Sequence, residues 1–415
     1  MTGKTASVQL VEETVGAMGA KGDGRAGAYH VAFALPGERV RGRPRGDRLE
    51  AVEILSESPD RVTPPCPHFT RCGGCATQHW ADGAIADWKR GLVVQALERR
   101  GLSPPVGETL AAWGGGRRRA AFHARREGTS HVFGFSRARA HVIEPIGACP
   151  VLTPGLQAAL PHLRALAEAL TPARETATIT VLETLSGLDV DVTGAGAIAH
   201  FARKGLERLA TSAQAADLAR LTLEGEVAVM RRQPVIAMGP ARVTPTPGAF
   251  LQATTAGEET LGRLVMTAAG PGGHAVDLFA GLGAFALRLK ERFMVRAFEG
   301  DGAMTAAMKK ASDGLAGGKT LTAIQRDLFR NPLGPLELKG VDLVVFDPPR
   351  AGAEAQAAQL ARTSVPVVIG VSCDPQSFAR DAALLTAGGY RLEAVTPVDQ
   401  FRWTPHVELV GVFRL

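Results

Sequence analysis

His274-Ala-Val-Asp277-Leu-Phe279-Ala-Gly281-Leu-Gly283 reads as an apolar strand that runs into a tight glycine turn. Residues 285–293 behind it carry apolar side chains at helical spacing, and a second strand, 294–298, ends on Glu299. Strand, glycine turn, helix and strand together make one unit of a parallel sheet. The alternation continues downstream, with strands expected at 321–325, 341–346 and 365–371 and helices between them. Two last strands, 390–398 and 407–414, have no helix between them and predict an antiparallel hairpin at the sheet edge. Residues 249–415 therefore form an α/β domain with a doubly wound parallel sheet.

In such a sheet, ligands bind in the crevice beyond the carboxyl ends of the strands. Gly281 and Gly283 let the backbone come close to a nucleotide, and the next helix aims its N-terminus at it. Glu299, ending strand two, is placed to hold ribose hydroxyls. The turn has no third glycine and no basic residue for a pyrophosphate, which favours S-adenosylmethionine over NAD. Strand four ends in Asp347-Pro-Pro-Arg350. The prolines stiffen this loop at the ligand edge, beyond what a bare turn requires. An enzyme that methylates exocyclic nitrogens would place an aromatic residue after the prolines, and Arg350 argues against that chemistry. Cys373 follows strand five, outside its apolar run, where a packing cysteine would not be expected. As a nucleophile it needs a site that lowers a thiol pKa of about 8.5. The loop Asp399-Gln-Phe-Arg-Trp-Thr404-Pro-His406-Val-Glu408 enters the final strand, and a carboxylate there is able to remove a proton.

Further upstream, Cys66, Cys72 and Cys75 crowd into one stretch, and Cys149 stands apart in Gly-Ala-Cys149-Pro. Three close thiols plus a distant one supply four ligands to a metal centre, which leaves Cys373 over as a separate chemistry. Zinc and an iron–sulfur cluster both remain open on these residues. Few cysteines and no signal-like N-terminus point to a reducing, cytoplasmic setting. No apolar run approaches the ~18 residues of a membrane span. Residues 1–60 contain five short stretches of strand character with Gly-rich turns, at 7–12, 19–27, 29–33, 35–41 and 49–55, and suggest a small barrel of the OB type. Residues 61–248 read as an α+β region, with a helix at 85–100, a basic strand at 113–126, a helix at 155–170 and strands at 176–192 and 221–243. The net charge is +6. Its surplus lies wholly in residues 1–150, with 21 basic against 15 acidic side chains, nearly all of the basic ones arginine. Such a segment suits phosphate contacts, and Arg117, Arg118 and Arg119 are the densest candidates.

Together, Cys66-x5-Cys-Gly-Gly-Cys75 with Gln78-His79, Asp347-Pro-Pro-Arg-Ala-Gly352, Ser372-Cys373-Asp-Pro375 and Thr404-x-His406-x-Glu408 resemble the bacterial 23S ribosomal RNA uracil-5-methyltransferases over essentially the whole chain. The resemblance implies an N-terminal TRAM barrel, a central iron–sulfur domain and a class I, Rossmann-like methyltransferase domain. It implies a 4Fe-4S cluster on Cys66, Cys72, Cys75 and Cys149. It places S-adenosylmethionine against Gln252, Phe279, Glu299, Asp327 and Asp347, with Cys373 as nucleophile and Glu408 as base. RNA is the implied partner, gripped through its backbone by the basic N-terminal domains, and a cytoplasmic monomer is the implied state. The chain departs from the family pattern at Ala284, where Asn is common, and at Arg402-Trp403, where Pro-Gln is usual. With aromatic residues at 5%, stacking platforms are few, and Phe250, Phe279, Phe401 and Trp403 are the candidates near the chemistry. The rival readings are a transfer RNA enzyme, a non-catalytic RNA-binding relative, a zinc protein and a cytosine-5 methyltransferase. The last expects a Pro-Cys pair after strand four, which is absent here.

Overall fold

The computed structural model describes residues 10–138, 140–170 and 176–415. The start of the first expected strand, residues 7–9, lies outside them. Five strands, β1 (Val11–Met18), β2 (Gly24–Ala26), β3 (Tyr29–Val31), β4 (Arg39–Arg45) and β5 (Arg48–Ser56), close into a barrel in the order β1-β2-β3-β5-β4. Alternation turns Val15, Ala26, Val31, Val40 and Leu49 inward as its core. The chain leaves the barrel at a buried ion pair. Glu38, with no exposed surface, accepts the Leu35 and Ser58 N–H groups and the Arg61 guanidinium at 2.6 Å.

Next come α1 (Asp82–Glu98), β6 (Leu110–Ala111), β7 (Arg119–Glu127), β8 (Ser130–Ser136), β9 (Ile143–Pro145), α2 (Pro154–Leu170), β10 (Ala177–Thr184), β11 (Gly187–Thr193), α3 (Arg203–Ala215), β12 (Leu218–Leu223), β13 (Glu226–Met230), β14 (Ile236–Met238) and β15 (Ala241–Val243). A seven-stranded sheet in the order β13-β12-β11-β10-β7-β8-β9 carries α2 and α3, whose apolar stripes share one core with it. The basic strand expected from residue 113 starts only at Arg119. Ahead of it Gly115 and Gly116 have φ of 78° and 84°, and a Cβ on Gly116 would lie 2.7 Å from the Leu152 carbonyl.

The last part contains α4 (Thr255–Ala268), β16 (Gly273–Leu278), α5 (Ala286–Leu289), β17 (Phe293–Glu299), α6 (Gly302–Asp313), β18 (Leu321–Gln325), β19 (Leu343–Phe346), α7 (Glu354–Leu360), β20 (Val367–Ser372), α8 (Pro375–Ala387), β21 (Arg391–Asp399) and β22 (Glu408–Arg414). Their sheet runs β18-β17-β16-β19-β20-β22-β21-β6, parallel from β18 to β20, with β22 antiparallel to both its neighbours. The terminal hairpin was expected to form the edge, and the structure corrects this. β6, two residues too short to show any periodicity, pairs outside β21 at Val398 and Asp399. Helix α1 also packs on this sheet, with Val93, Ala96 and Leu97 in the same core as Val395, Leu409 and Phe413. Among the described residues no helix is long and apolar enough to cross a membrane.

Candidate active site

The loops after β16, β19 and β20 and the segment leading into β22 meet at one edge of the sheet. Local sequence dictates the shape of each. Asp374 accepts the N–H groups of Gln376 and Ser377 as the N-cap of α8, and Pro375 occupies the first turn. This abrupt strand-to-helix change leaves Cys373 at the crest. Ser372 pairs with Leu409 across the sheet, so Cys373 and Glu408 are adjacent in the register. The Cys373 thiol is half-buried, and its pKa is pushed up to about 12 by burial and then by the negative charges of Glu408, Asp347 and Asp374. A site that lowers the thiol pKa, which nucleophilic use requires, is therefore not what this cysteine has in the ligand-free protein.

Glu408 is 2% exposed. Burial, followed by the Asp347 charge, raises its pKa, and burial raises that of Asp347. One Glu408 oxygen, Oε1, accepts the Gln400 amide at 3.1 Å, and the other has no partner among the described residues. Gln400 Nε2 also donates to Gln252 Oε1 at 2.5 Å, and Gln252 Nε2 donates to Asp347 Oδ2 at 3.2 Å. Asp347, Gln252, Gln400 and Glu408 thus form one continuous polar chain beside the thiol.

The neighbouring strands carry the remaining nucleotide-site candidates. Phe279 adopts a φ of 61° and Gly281 one of 56°, and nothing lies within 4 Å of where a Cβ on Gly281 would be, so the turn stands open. Glu299 accepts the Gly281 and Asp301 N–H groups at 2.8 and 2.9 Å, which locks its carboxylate against the glycine turn. Beneath it, fully buried Asp277 accepts the Ala286 N–H through one oxygen and has no partner for the other. Its pKa is raised by burial and by the acids above it. Asp327 is exposed, accepts the N–H groups of Phe329 and Arg330, and stays outside the buried chain. Phe329 rests on Phe279 with ring centres 5.3 Å apart.

Cys66, Cys72, Cys75 and Cys149 line one cavity of about 290 Å³, along with His68, Phe69 and Arg117. All four are free thiols. Burial raises the pKa of Cys72 and Cys75 and brings that of Cys149 to about 12, with the neighbouring thiols adding to the effect. Gln78 accepts the Cys66 N–H, and Gly74 N–H points at the Cys72 sulfur. Among the described residues no three His, Cys, Asp or Glu side chains come close enough together to hold a single metal ion. The thiols surround a space rather than a point.

Other expectations need correction. Trp403, offered as a stacking platform, is 6% exposed, has a φ of 61° and packs with Leu35, Trp80 and Ile85. Phe250 is 68% exposed, and Phe401 lies beneath the Arg117 guanidinium at 5.8 Å. Arg118 does not face RNA. It is buried in an ion pair with Glu258 at 2.6 Å and donates to the Gln252 carbonyl, pinning the segment that carries Gln252. Two residues that hold the site went unnoticed in the sequence. Gln400 sits inside the quoted loop with nothing to distinguish it from a surface amide. Lys89 pairs with Asp399 at 2.6 Å with no exposed surface, and its signal was a lysine on the apolar stripe Ile85, Val93, Ala96.

The family description tRNA (uracil-5-)-methyltransferase matches residues 323–414. An RNA methyltransferase of Brucella suis is 43% identical over 403 residues, covering 96% of each chain. A 23S rRNA (uracil(1939)-C(5))-methyltransferase of Chromohalobacter salexigens is 36% identical over 91% of this chain and 82% of its own. The chain belongs to the RNA uracil-5-methyltransferase family. The fold agrees as well. The structure of a tRNA (uracil-54, C5)-methyltransferase from Pyrococcus abyssi superposes with a TM-score of 0.77 at 20% identity, covering 97% of this chain and all of the other. In this methyltransferase the segment matched by the family description contains Asp347, Cys373, Gln400 and Glu408. The four clustered cysteines lie ahead of it, in the part spanned by the full-length relatives.

Proposed function

We propose that the chain methylates C5 of a uridine in 23S ribosomal RNA, with S-adenosylmethionine as methyl donor and a covalent link between Cys373 and the uracil ring. The observation that carries this reading is the adjacency of Cys373 and Glu408 at the ligand edge of the sheet, next to the open Gly281 turn and Glu299. The transfer RNA alternative draws on the family description, which covers only the catalytic part. A relative 36% identical over 91% of this chain acts, by its name, on 23S rRNA.

Uracil C5 is too weak a nucleophile to attack a sulfonium methyl group unaided. Cys373 sulfur adds to C6, its proton passes to solvent, and the C5–C6 electrons move onto the ring as an enolate. The donor supplies the methyl group as an electrophile on sulfur. Enolate C5 takes that methyl, and Glu408 removes the remaining C5 proton. The electrons released expel Cys373 and restore the C5–C6 double bond. Glu299 suits ribose hydroxyls, Phe279 and Asp327 suit the adenine end, and Gln252 and Asp347 suit the end near the reacting methyl. Cys373 ionises once a positive charge sits beside Asp347, since an opposite charge nearby favours the thiolate. The uridine must leave its stack to reach this edge, which is least costly in a loop or single strand. Exposed Phe250 suits stacking on a base, and the cations Arg117 and Arg350, both close enough to His406 to lower its pKa, suit contacts with an RNA strand.

Cys66, Cys72, Cys75 and Cys149 line one cavity and would hold a 4Fe-4S cluster through their four sulfurs. The cluster would tie residues 66–75 to Cys149, and as a structural group its binding energy counts toward folding.

Glu408→Gln tests the reaction. Attack and methyl transfer need no carboxylate, so a methylated covalent protein–RNA adduct should accumulate, dependent on Cys373 and on the donor. Release should slow by roughly 10²–10⁴. Normal turnover without an adduct would remove Glu408 as the base.

A further inference from the structure

We infer that Gln400 is a positioning residue for proton removal, holding the Glu408 carboxylate and the Gln252–Asp347 pair in register through its one side-chain amide. The inference rests on the reading of Glu408 as base.

The orientation of this amide is determined by its partners. Gln400 Oε1 accepts the Ala253 N–H at 2.8 Å, so the opposite end must be Nε2. That nitrogen faces two acceptors, Gln252 Oε1 at 2.5 Å and Glu408 Oε1 at 3.1 Å. A flipped amide would set oxygen against both acceptors and nitrogen against an N–H, losing all three bonds. The same logic passes on to Gln252. Its oxygen is taken by Gln400, so its own Nε2 is directed to Asp347 Oδ2. Gln400, Gln252 and Glu408 are 1%, 7% and 2% exposed, which leaves little water to substitute for a missing partner.

A second observation agrees. Gly257 sits in the first turn of α4, where a Cβ would meet Gln400 Oε1 at 2.6 Å and Gln400 Cβ at 2.8 Å. Glycine is unfavourable inside a helix, and here its missing side chain is the space Gln400 fills.

The consequence for chemistry concerns Glu408. Among the described residues Gln400 is its one hydrogen-bond donor, engaged on Oε1, while Oε2 has no partner among them and is left to take a proton. Burial and the Asp347 carboxylate make Glu408 harder to keep ionised, and Glu408 in turn raises the thiol of Cys373 beside it. The Gln400 donor works against burial and Asp347. Without it Glu408 would hold its proton to higher pH, and Gln252 would lose the partner that aims it at Asp347.

The experiment follows resolution of the methylated adduct in single turnover across pH, with Gln400→Met and Gln400→Glu. Gln400→Met keeps the length and removes the donor. Release should slow, and its pH dependence should move upward on the order of one unit, the size of one lost hydrogen bond to a charged group. Gln400→Glu places a further carboxylate beside Glu408 and should move it further. Calorimetry should show weaker donor binding in both, transmitted through Gln252. A merely structural role would lower the amount of folded enzyme without moving the pH profile. An unmoved profile in folded variants overturns the inference, and should Gln400→Met not fold, the profile of Gln400→Glu decides alone. Normal turnover by Glu408→Gln would instead overturn the base assignment and this inference with it, so the two failures are distinguishable.

Discussion

Replacing Lys89 with Met should loosen the loop that carries the proposed base, although Lys89 lies 310 residues from its partner. Its Nζ sits 2.6 Å from Asp399 Oδ1 and 3.1 Å from the Phe401 carbonyl, with no exposed surface on the lysine and 5% on the aspartate. Asp399 also accepts the Phe401 N–H at 2.9 Å. Removing the ammonium strands a buried carboxylate at the start of the loop 399–408. Breaking one side of a buried pair typically costs about 3–5 kcal/mol. If all 415 residues unfolded as one unit with an entropy of ~2.1 cal/mol/K per residue, the melting midpoint would fall by about 3–6 °C. A shift confined to the loop would appear instead as lost catalysis with donor affinity retained.

The loss should be read at neutral pH, where the variant buries a carboxylate without its counter-charge. Adding Asp399→Asn should recover most of the loss, because a neutral amide is much cheaper to bury than a charge. Differential scanning calorimetry of the two variants is the assay. A single variant as stable as wild type at pH 7, or a double variant no better than the single, would refute the reasoning.

The thiol offers a separate check. With its pKa near 12, Cys373 should alkylate slowly at neutral pH, with a rate still rising at pH 9, read by peptide mass spectrometry. A positively charged donor analogue should speed the reaction if it leaves the sulfur open, and a plateau below pH 8 in the free protein would contradict the assigned environment. For the cysteine cavity, anaerobic wild-type protein should contain iron and acid-labile sulfide together, and Cys149→Ala should lose both. Zinc without iron in the wild type would exclude the cluster.

The sheet was legible because its strands are continuous apolar runs separated by helices, and each run ended where a chemically distinctive residue stood. Glu299, Asp347 and Cys373 could be placed at the ligand edge for that reason alone. Glu408 could be placed on the final strand, but its burial could not, since a glutamate there reads equally well as surface. What stayed hidden depends on contacts across long stretches of chain. Arg118 looked like one of three RNA-facing arginines until Glu258, 140 residues away, took it into a buried pair. Trp403 looked like a stacking surface, but its left-handed backbone turns it into a pocket with Leu35 from the barrel. β6 could not be read because two residues have no period. The high pKa of Cys373 comes first from burial and then from Glu408, Asp347 and the adjoining Asp374, and the burial and the two distant acids are brought by other segments, which no local pattern shows.

The contacts around loop 399–408 show how the N-terminal half supports this segment. Lys89 of α1 anchors the start of the loop. Arg402 reaches Asp82 at 2.7 Å and lies against Trp113 and Trp403, with its guanidinium carbon 3.8 and 4.1 Å from their ring centres. The Ala76 and Thr77 N–H groups, immediately after Cys75, both donate to the Trp403 carbonyl, at 2.8 and 3.2 Å. Arg117, which lines the cysteine cavity, covers Phe401. Arg402 and Trp403, which with Ala284 are the positions where this chain departs from the family pattern, are both spent on these contacts rather than on open surface. The cysteine segment is thus one hydrogen bond from the loop that ends in Glu408. Whatever holds Cys72 and Cys75 in place also holds the Trp403 carbonyl, so a loss of order there would reach Glu408, the proposed base, before it reached Phe279, Glu299 and Asp347 at the ends of β16, β17 and β19.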